Sequence, residues 1–68
     1  MTLAERQRFV LEGLPNISAV LAQRLLEYFG SVRAVFEAEE DKLCEVKGIG
    51  EKIAKEIKKI ASEKYQGT

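Results

Sequence analysis

The chain has no histidine and a single cysteine, Cys44, and these two scarcities remove most of what a small protein uses to stay folded. One thiol cannot close an internal disulfide, and without imidazole or paired thiols no structural zinc cage can form. With no nucleophile-and-base pair and no cofactor loop either, a small enzyme is a poor reading. A chain of 68 residues buries only about 60% of the surface it exposes when unfolded. Its core must therefore be small, and oligomerisation is the stabilising device left to it. Cys44 falls on an apolar helix face and reads as a structural thiol in a reducing, intracellular compartment. No apolar run approaches the roughly 20 residues needed to cross a bilayer. The first twelve residues carry Glu5, Arg6, Arg8 and Glu12 where a secretory leader would be apolar. The expectation is a single soluble, untargeted domain with no cofactor and no metal.

Net charge is lacking too: eleven basic residues balance eleven acidic ones. Taken as a total, this argues against a polyanionic partner, which normally leaves a basic footprint. The distribution reverses that. Residues 34–46 hold five acids and one base, whereas residues 47–64 hold six lysines and three glutamates. The surface is expected to be polarised, with its positive end in and after the segment around Gly48.

What the sequence has in abundance is helical periodicity, and it shows no strand alternation. Leu3, Phe9 and Val10 lead to Leu14 along a first helix from about Leu3 to Glu12, ending at Gly13. Pro15 biases Leu14 toward an extended conformation that stops the helix. A second helix starts at the N-cap Ser18, ends at the C-cap Gly30, and is predicted to bury Leu21, Ala22, Leu25, Leu26 and Phe29. Ser31 opens a short third helix presenting Val32, Val35 and Phe36. Glu39, Glu40 and Asp41 favour the start of a fourth through its dipole, with Leu43, Cys44 and Val46 turned inward. The fifth carries Ile53, Ala54, Ile57, Ile60 and Ala61 on one face and charge elsewhere.

Sliding the sequence 32 residues along itself matches Leu11 with Leu43, Leu14 with Val46, Ile17 with Ile49, Leu21 with Ile53, Ala22 with Ala54 and Leu25 with Ile57. Both copies place a turn at the same phase, Leu14-Pro15-Asn16-Ile17-Ser18 and Val46-Lys47-Gly48-Ile49-Gly50. The repeating unit is helix, short hairpin, helix. One copy cannot bury both of its apolar faces, so two copies sharing a core are expected. The predicted fold is all-α, with five short helices: a first motif at about 3–29, a connector at about 31–37 and a second motif at about 39–62.

The second turn has the chemistry of a phosphate site. Its glycines let the backbone approach closely and adopt positive φ, and the helix that follows opens with unpaired amides. Lys47, Gly48, Ile49 and Gly50 are the candidate cradle, with Ile49 a plug into the core. Lys52, Lys55 and Lys59 share one side of the last helix, and Lys52 and Lys55 are near enough to reach flanking phosphates. Such contacts are blind to base sequence. Glycine is also ordinary turn chemistry, and Glu51 with Lys55 and Glu56 with Lys59 could be ordinary helix-stabilising pairs. The matched phase of a second hairpin favours the site. In the first hairpin Asn16 and Ser18 replace the glycines around Ile17, and Val20 and Gln23 stand where Lys52 and Lys55 stand. Scaffold and contact are equally open readings there.

Together, Ala4-Glu5-Arg6-Gln7, Gly13-Leu14-Pro15-Asn16-Ile17-Ser18, Leu25-Leu26, Phe29-Gly30-Ser31, Val35-Phe36 and Val46-Lys47-Gly48-Ile49-Gly50-Glu51-Lys52-Ile53-Ala54 resemble the tandem helix-hairpin-helix (HhH)2 C-terminal domain of the XPF family of structure-specific endonucleases, especially archaeal Hef. The likeness covers nearly the whole chain. The second hairpin is shared by many DNA repair proteins, while the first points more narrowly to XPF/Hef. A similar domain closes the bacterial UvrC nuclease subunit, the alternative family, which usually keeps two glycines in its first hairpin. The resemblance implies an intracellular, DNA-associated domain that binds the backbone of forked, flapped or branched DNA, forms a dimer, and positions a separate nuclease. Nothing in this chain reproduces that nuclease's metal-binding acids, and Glu39, Glu40 and Asp41 read as a helix start. Ala38 departs from the family by standing where a capping serine is common.

Self-association has support of its own, because Leu3, Val20, Phe36 and Tyr65 cannot all fit in one small core. Val20, Phe36 and Tyr65 are the candidate homodimer interface. The resemblance implies that Tyr65, beyond the last periodic turn, packs into a partner; a solvated ring on a frayed terminus is the other reading. A protein–protein dimerisation module with weak DNA affinity remains the alternative function.

Overall fold

The computed structural model describes residues 1–67 and contains five helices: α1 Leu3–Glu12, α2 Ala19–Phe29, α3 Val32–Glu37, α4 Glu40–Leu43 and α5 Glu51–Ser62. No strand occurs among the described residues. No helix is long and apolar enough to cross a membrane.

Local chemistry sets most of the boundaries. Thr2 and Glu5 form a capping box on α1: Glu5 N–H donates to Thr2 Oγ1 at 3.1 Å and Thr2 N–H donates to Glu5 Oε1 at 2.7 Å. These bonds hold the Glu5 carboxyl below its ordinary value. Ser18 Oγ accepts from Leu21 N–H at 3.2 Å and Ser31 Oγ from Ala34 N–H at 3.0 Å, starting α2 and α3. Between them Gly30, at φ 90°, closes α2 by donating to the Leu26 carbonyl at 2.8 Å. The fourth helix is a single turn whose N-cap, Glu39, makes no side-chain cap bond.

The buried core comprises Leu11, Leu14, Ile17, Ala22, Leu25, Val35, Leu43, Val46, Ile49, Ala54 and Ile57. Every member except Val35 belongs to a pair matched by the 32-residue offset, and the sixth pair, Leu21 and Ile53, is half-buried in both copies. Val35, on the connector α3, completes the cluster. Helices α1 and α2 pack together, α4 packs on α5, and α3 touches α1, α2 and α5. Full burial of a Leu, Ile or Val side chain contributes about 1.5–3 kcal/mol, so this short roster carries much of the fold.

Several apolar positions turn outward. Leu3, Phe9 and Val10 are exposed, and α1 buries only Leu11. Leu3 and Val10 lie seven residues apart, on a shared side of α1 that no other helix covers. Leu26 and Phe29 are half-buried rather than buried, packed at the edge of the cluster, as is Cys44. Ile60 and Ala61 were expected on the buried face of α5 but are exposed, because the last turn of that helix runs past the core.

Candidate functional site

The two hairpins have one backbone design. Leu14 N–H donates to Leu11 O at 3.0 Å, and Val46 N–H to Leu43 O at 3.1 Å. Ile17 N–H closes its turn onto Leu14 O at 3.3 Å, and Ile49 N–H onto Val46 O at 3.0 Å. The third turn residue is left-handed in both, Asn16 at φ 64° and Gly48 at φ 95°. Ser18 and Gly50 are extended N-caps whose carbonyls accept from Ala22 at 2.9 Å and Ala54 at 3.0 Å. Ile17 and Ile49 are buried plugs. Asn16 can stand in for glycine because its short polar side chain tolerates the left-handed region.

Their surfaces are unlike. At the first hairpin Ser18 occupies the Leu21 amide. At the second, Gly50 has no side chain, and the amides of Glu51, Lys52 and Ile53 have no hydrogen-bond partner among the described residues. Open amides at the start of the 12-residue α5, reinforced by its dipole, are suited to an anion. A Cβ on Gly50 would meet nothing within 4 Å, so the approach is clear. Lys47, Lys52 and Lys55 are exposed around this opening. The ordinary pairings Glu51–Lys55 and Glu56–Lys59 do not form; among the described residues the one ion pair is Lys42–Glu45 at 3.5 Å. Lys58 is instead tied back, its Nζ donating to the Phe36 carbonyl at 3.2 Å. Around the first hairpin Val20 is exposed and Gln23 Nε2 donates to Glu27 Oε2 at 3.1 Å, so neither position matching Lys52 or Lys55 carries a cation.

Residues 9–63 match the family described as a SAM-like helix-hairpin-helix tandem. The chain belongs to this family. It is 42% identical over 67 residues to a protein of Methanocaldococcus jannaschii named as an ATP-dependent RNA helicase, an alignment covering 98% of this chain and 9% of that protein. It is 35% identical over 54 residues to UvrABC system protein C of Methanosphaera stadtmanae, covering 79% of this chain and 9% of the relative. The solved structure of XPF from Aeropyrum pernix in complex with DNA superimposes with a TM-score of 0.90 at 42% identity, covering 96% of this chain and 32% of that one. The likeness to the XPF-type domain read from the residues therefore holds in both sequence and fold. This chain spans about a tenth of those curated relatives and about a third of the solved XPF chain.

Within the tandem helix-hairpin-helix scaffold, the residues expected to form a self-association surface are only partly alike. Val20 is 57% exposed and Tyr65 95% exposed, whereas Phe36 is half-buried against the core. Among the described residues no group of three acids, histidines or cysteines is placed to hold a metal ion.

One residue at the second hairpin was not singled out from the sequence. Arg24 reaches from α2 in the first motif and donates from Nη1 to the Lys47 carbonyl at 3.0 Å. Beside it a groove of about 330 Å³ is lined by Arg24, Glu27, Tyr28, Glu45, Val46 and Lys47. There the Tyr28 hydroxyl donates to Glu45 Oε1, raising the phenol and, with Lys42 nearby, lowering the carboxyl. The sequence held one clue: the repeat aligns Arg24 with Glu56, a reversal of charge between the matched apolar pairs Ala22–Ala54 and Leu25–Ile57.

Proposed function

We propose that this tandem helix-hairpin-helix domain binds the sugar-phosphate backbone of forked or otherwise branched DNA, without regard to base sequence, and positions a nuclease carried elsewhere in its parent protein. The observation that carries this reading is the uncapped start of α5: open amides after Gly50, with Lys47, Lys52 and Lys55 exposed around them and none held in an ion pair among the described residues. The XPF structure it superimposes on is a complex with DNA. Backbone amides and lysines together grip phosphate, and neither reads base identity. The second hairpin, Lys47 to Gly50, is the main contact. Asn16, Ile17 and Ser18 form a weaker one, since Ser18 already occupies an amide there. The domain itself does no chemistry and takes no cofactor.

The domain also forms a homodimer in this reading, through surface that includes Val20 and Tyr65 with the partly exposed edge of Phe36. A dimer engaging roughly four to six phosphates gives a log K against log salt slope of about −4 to −5 on duplex. Titrating the 15N-labelled protein with a splayed duplex at low salt tests the site. The amides of Gly48, Gly50, Glu51 and Lys52 are expected to move most and those of residues 16–18 less. If the α5 amides stay still, the DNA reading is lost and a self-associating scaffold remains. Sedimentation of Tyr65→Ala tests the interface: an unchanged dimer removes Tyr65 from it.

A further inference from the structure

The Lys47–Gly48 peptide is the central unit of the turn that presents the second hairpin, and its orientation is not set by the turn residues alone. The bond from Ile49 N–H to Val46 O spans a four-residue turn. Gly48 has φ 95°, and Lys47 is not among the residues with positive φ. That combination is a type II turn, which differs from type I by a flip of this one peptide. In a trans peptide, as this one is, the carbonyl and the amide N–H point to opposite sides. Holding the Lys47 carbonyl toward α2 therefore turns the Gly48 N–H away from α2.

Arg24 supplies the hold. Its Nη1 lies 3.0 Å from the Lys47 carbonyl and 3.2 Å from the place a Gly48 Cβ would occupy. No carboxylate pairs with the guanidinium among the described residues, so its charge is free to strengthen that bond. The first hairpin has no such hold: Pro15, at the equivalent of Lys47, fixes a φ that type I and type II turns share and so leaves the peptide after it unset. Its counterpart to Arg24 is Glu56, which as a carboxylate has no proton to donate to a carbonyl.

We propose that Arg24 is a positioning residue for the second hairpin: from the first motif it fixes the Lys47–Gly48 peptide so that the Gly48 amide faces the bound phosphate. The inference rests on the DNA-binding reading above. It makes the two motifs a single binding unit, since the side chain that orders one hairpin belongs to the other.

Arg24→Met and Arg24→Lys, measured on a splayed duplex, test it. Arg24→Met is expected to weaken binding about tenfold, the size of one lost charge-assisted hydrogen bond, with the salt slope unchanged. Arg24→Lys, which keeps a donor, should stay within about threefold of the parent. Parent-like binding by Arg24→Met overturns the proposal. So does a slope shallower by about one, which would make Arg24 a direct phosphate contact. Should Arg24→Met lose helix content, Arg24→Gln, too short to span to the carbonyl, replaces it. If Lys52→Glu with Lys55→Glu also binds like the parent, the DNA reading itself has failed. The hold is then judged in free protein: displaced Lys47 carbonyl and Gly48 amide resonances in Arg24→Met support it, and unmoved ones overturn it.

Discussion

The two hairpins follow nearly the same path and end in different chemistry. In the first, every special demand is met inside the turn: Pro15 presets φ, Asn16 accepts the left-handed position, and Ser18 caps the helix with its own oxygen. In the second, glycine fills both special positions, the α5 cap is left open, and α2 supplies the support, with Leu21 and Arg24 pressed against Gly48. A turn that satisfies itself has little left to offer a ligand. A turn braced from outside keeps its amides free.

The comparison predicts unequal responses to equivalent changes. Gly48→Ala should have the largest effect, about 3 kcal/mol of stability, because an alanine there is strained at φ 95° and its Cβ would lie 2.6 Å from Leu21 Cδ2. Asn16→Ala, at the matching position, should cost only about 1 kcal/mol. In a domain of this size each kcal/mol moves the melting temperature by about 4–8 °C, so thermal scans separate the two. Equal losses would erase the distinction between a braced and a self-contained turn.

Charge reversal comes next. Lys52→Glu with Lys55→Glu should weaken binding to a fork about a hundredfold at low salt, on every sequence tested. Val20→Glu with Gln23→Glu, at the equivalent sites of the first motif, should change it only a few-fold. Fluorescence anisotropy reads both, and a larger loss from the second pair would reverse the assignment of the main contact.

Moving the caps has a smaller effect of opposite sign in the two motifs. Ser18→Ala should cost about 1 kcal/mol of stability. Gly50→Ser has open space and an ordinary backbone conformation, and by capping α5 it should stabilise by a few tenths of a kcal/mol. It should also weaken DNA binding several-fold, since the new hydroxyl competes for the amide a phosphate would use. Tighter binding by Gly50→Ser would contradict the role given to those amides.

The smallest effect lies at the seam between α2 and the second hairpin, which has no counterpart in the first because Gly13 stands opposite Glu45. The Tyr28 hydroxyl holds the Glu45 carboxyl below its ordinary 4.5. A depressed carboxyl adds stability that is complete above the ordinary value and is lost as pH falls through the lowered one. Glu5, held down by Thr2, behaves alike. In an NMR titration Tyr28→Phe should let Glu45 titrate closer to its ordinary value and leave Glu5 unmoved. A Glu45 titration unchanged by that substitution would show that the seam does not couple α2 to the hairpin.

Much of this was legible in order. The caps at Ser18, Gly30 and Ser31 are local chemistry, and the helices begin and end there. The 32-residue offset selected the core pairs because burial has to recur wherever a structural unit recurs. Ile60 and Ala61 were misplaced for the complementary reason. Periodicity says which residues share a side of a helix, but not whether another helix lies against that side. Whether the acid–base pairs weighed as the alternative along α5 form likewise depended on rotamers that spacing does not fix.

The sequence alone determined the helices, the repeat, the two turns and the lysines beside the second, since each follows from residue type and spacing within one short stretch of chain. Only the tertiary structure decided that Arg24 meets Lys47, 23 residues away, and that the second hairpin rests on α2. A contact between distant segments is set by how the two motifs dock around their shared core, and docking depends on the packing of all its members together.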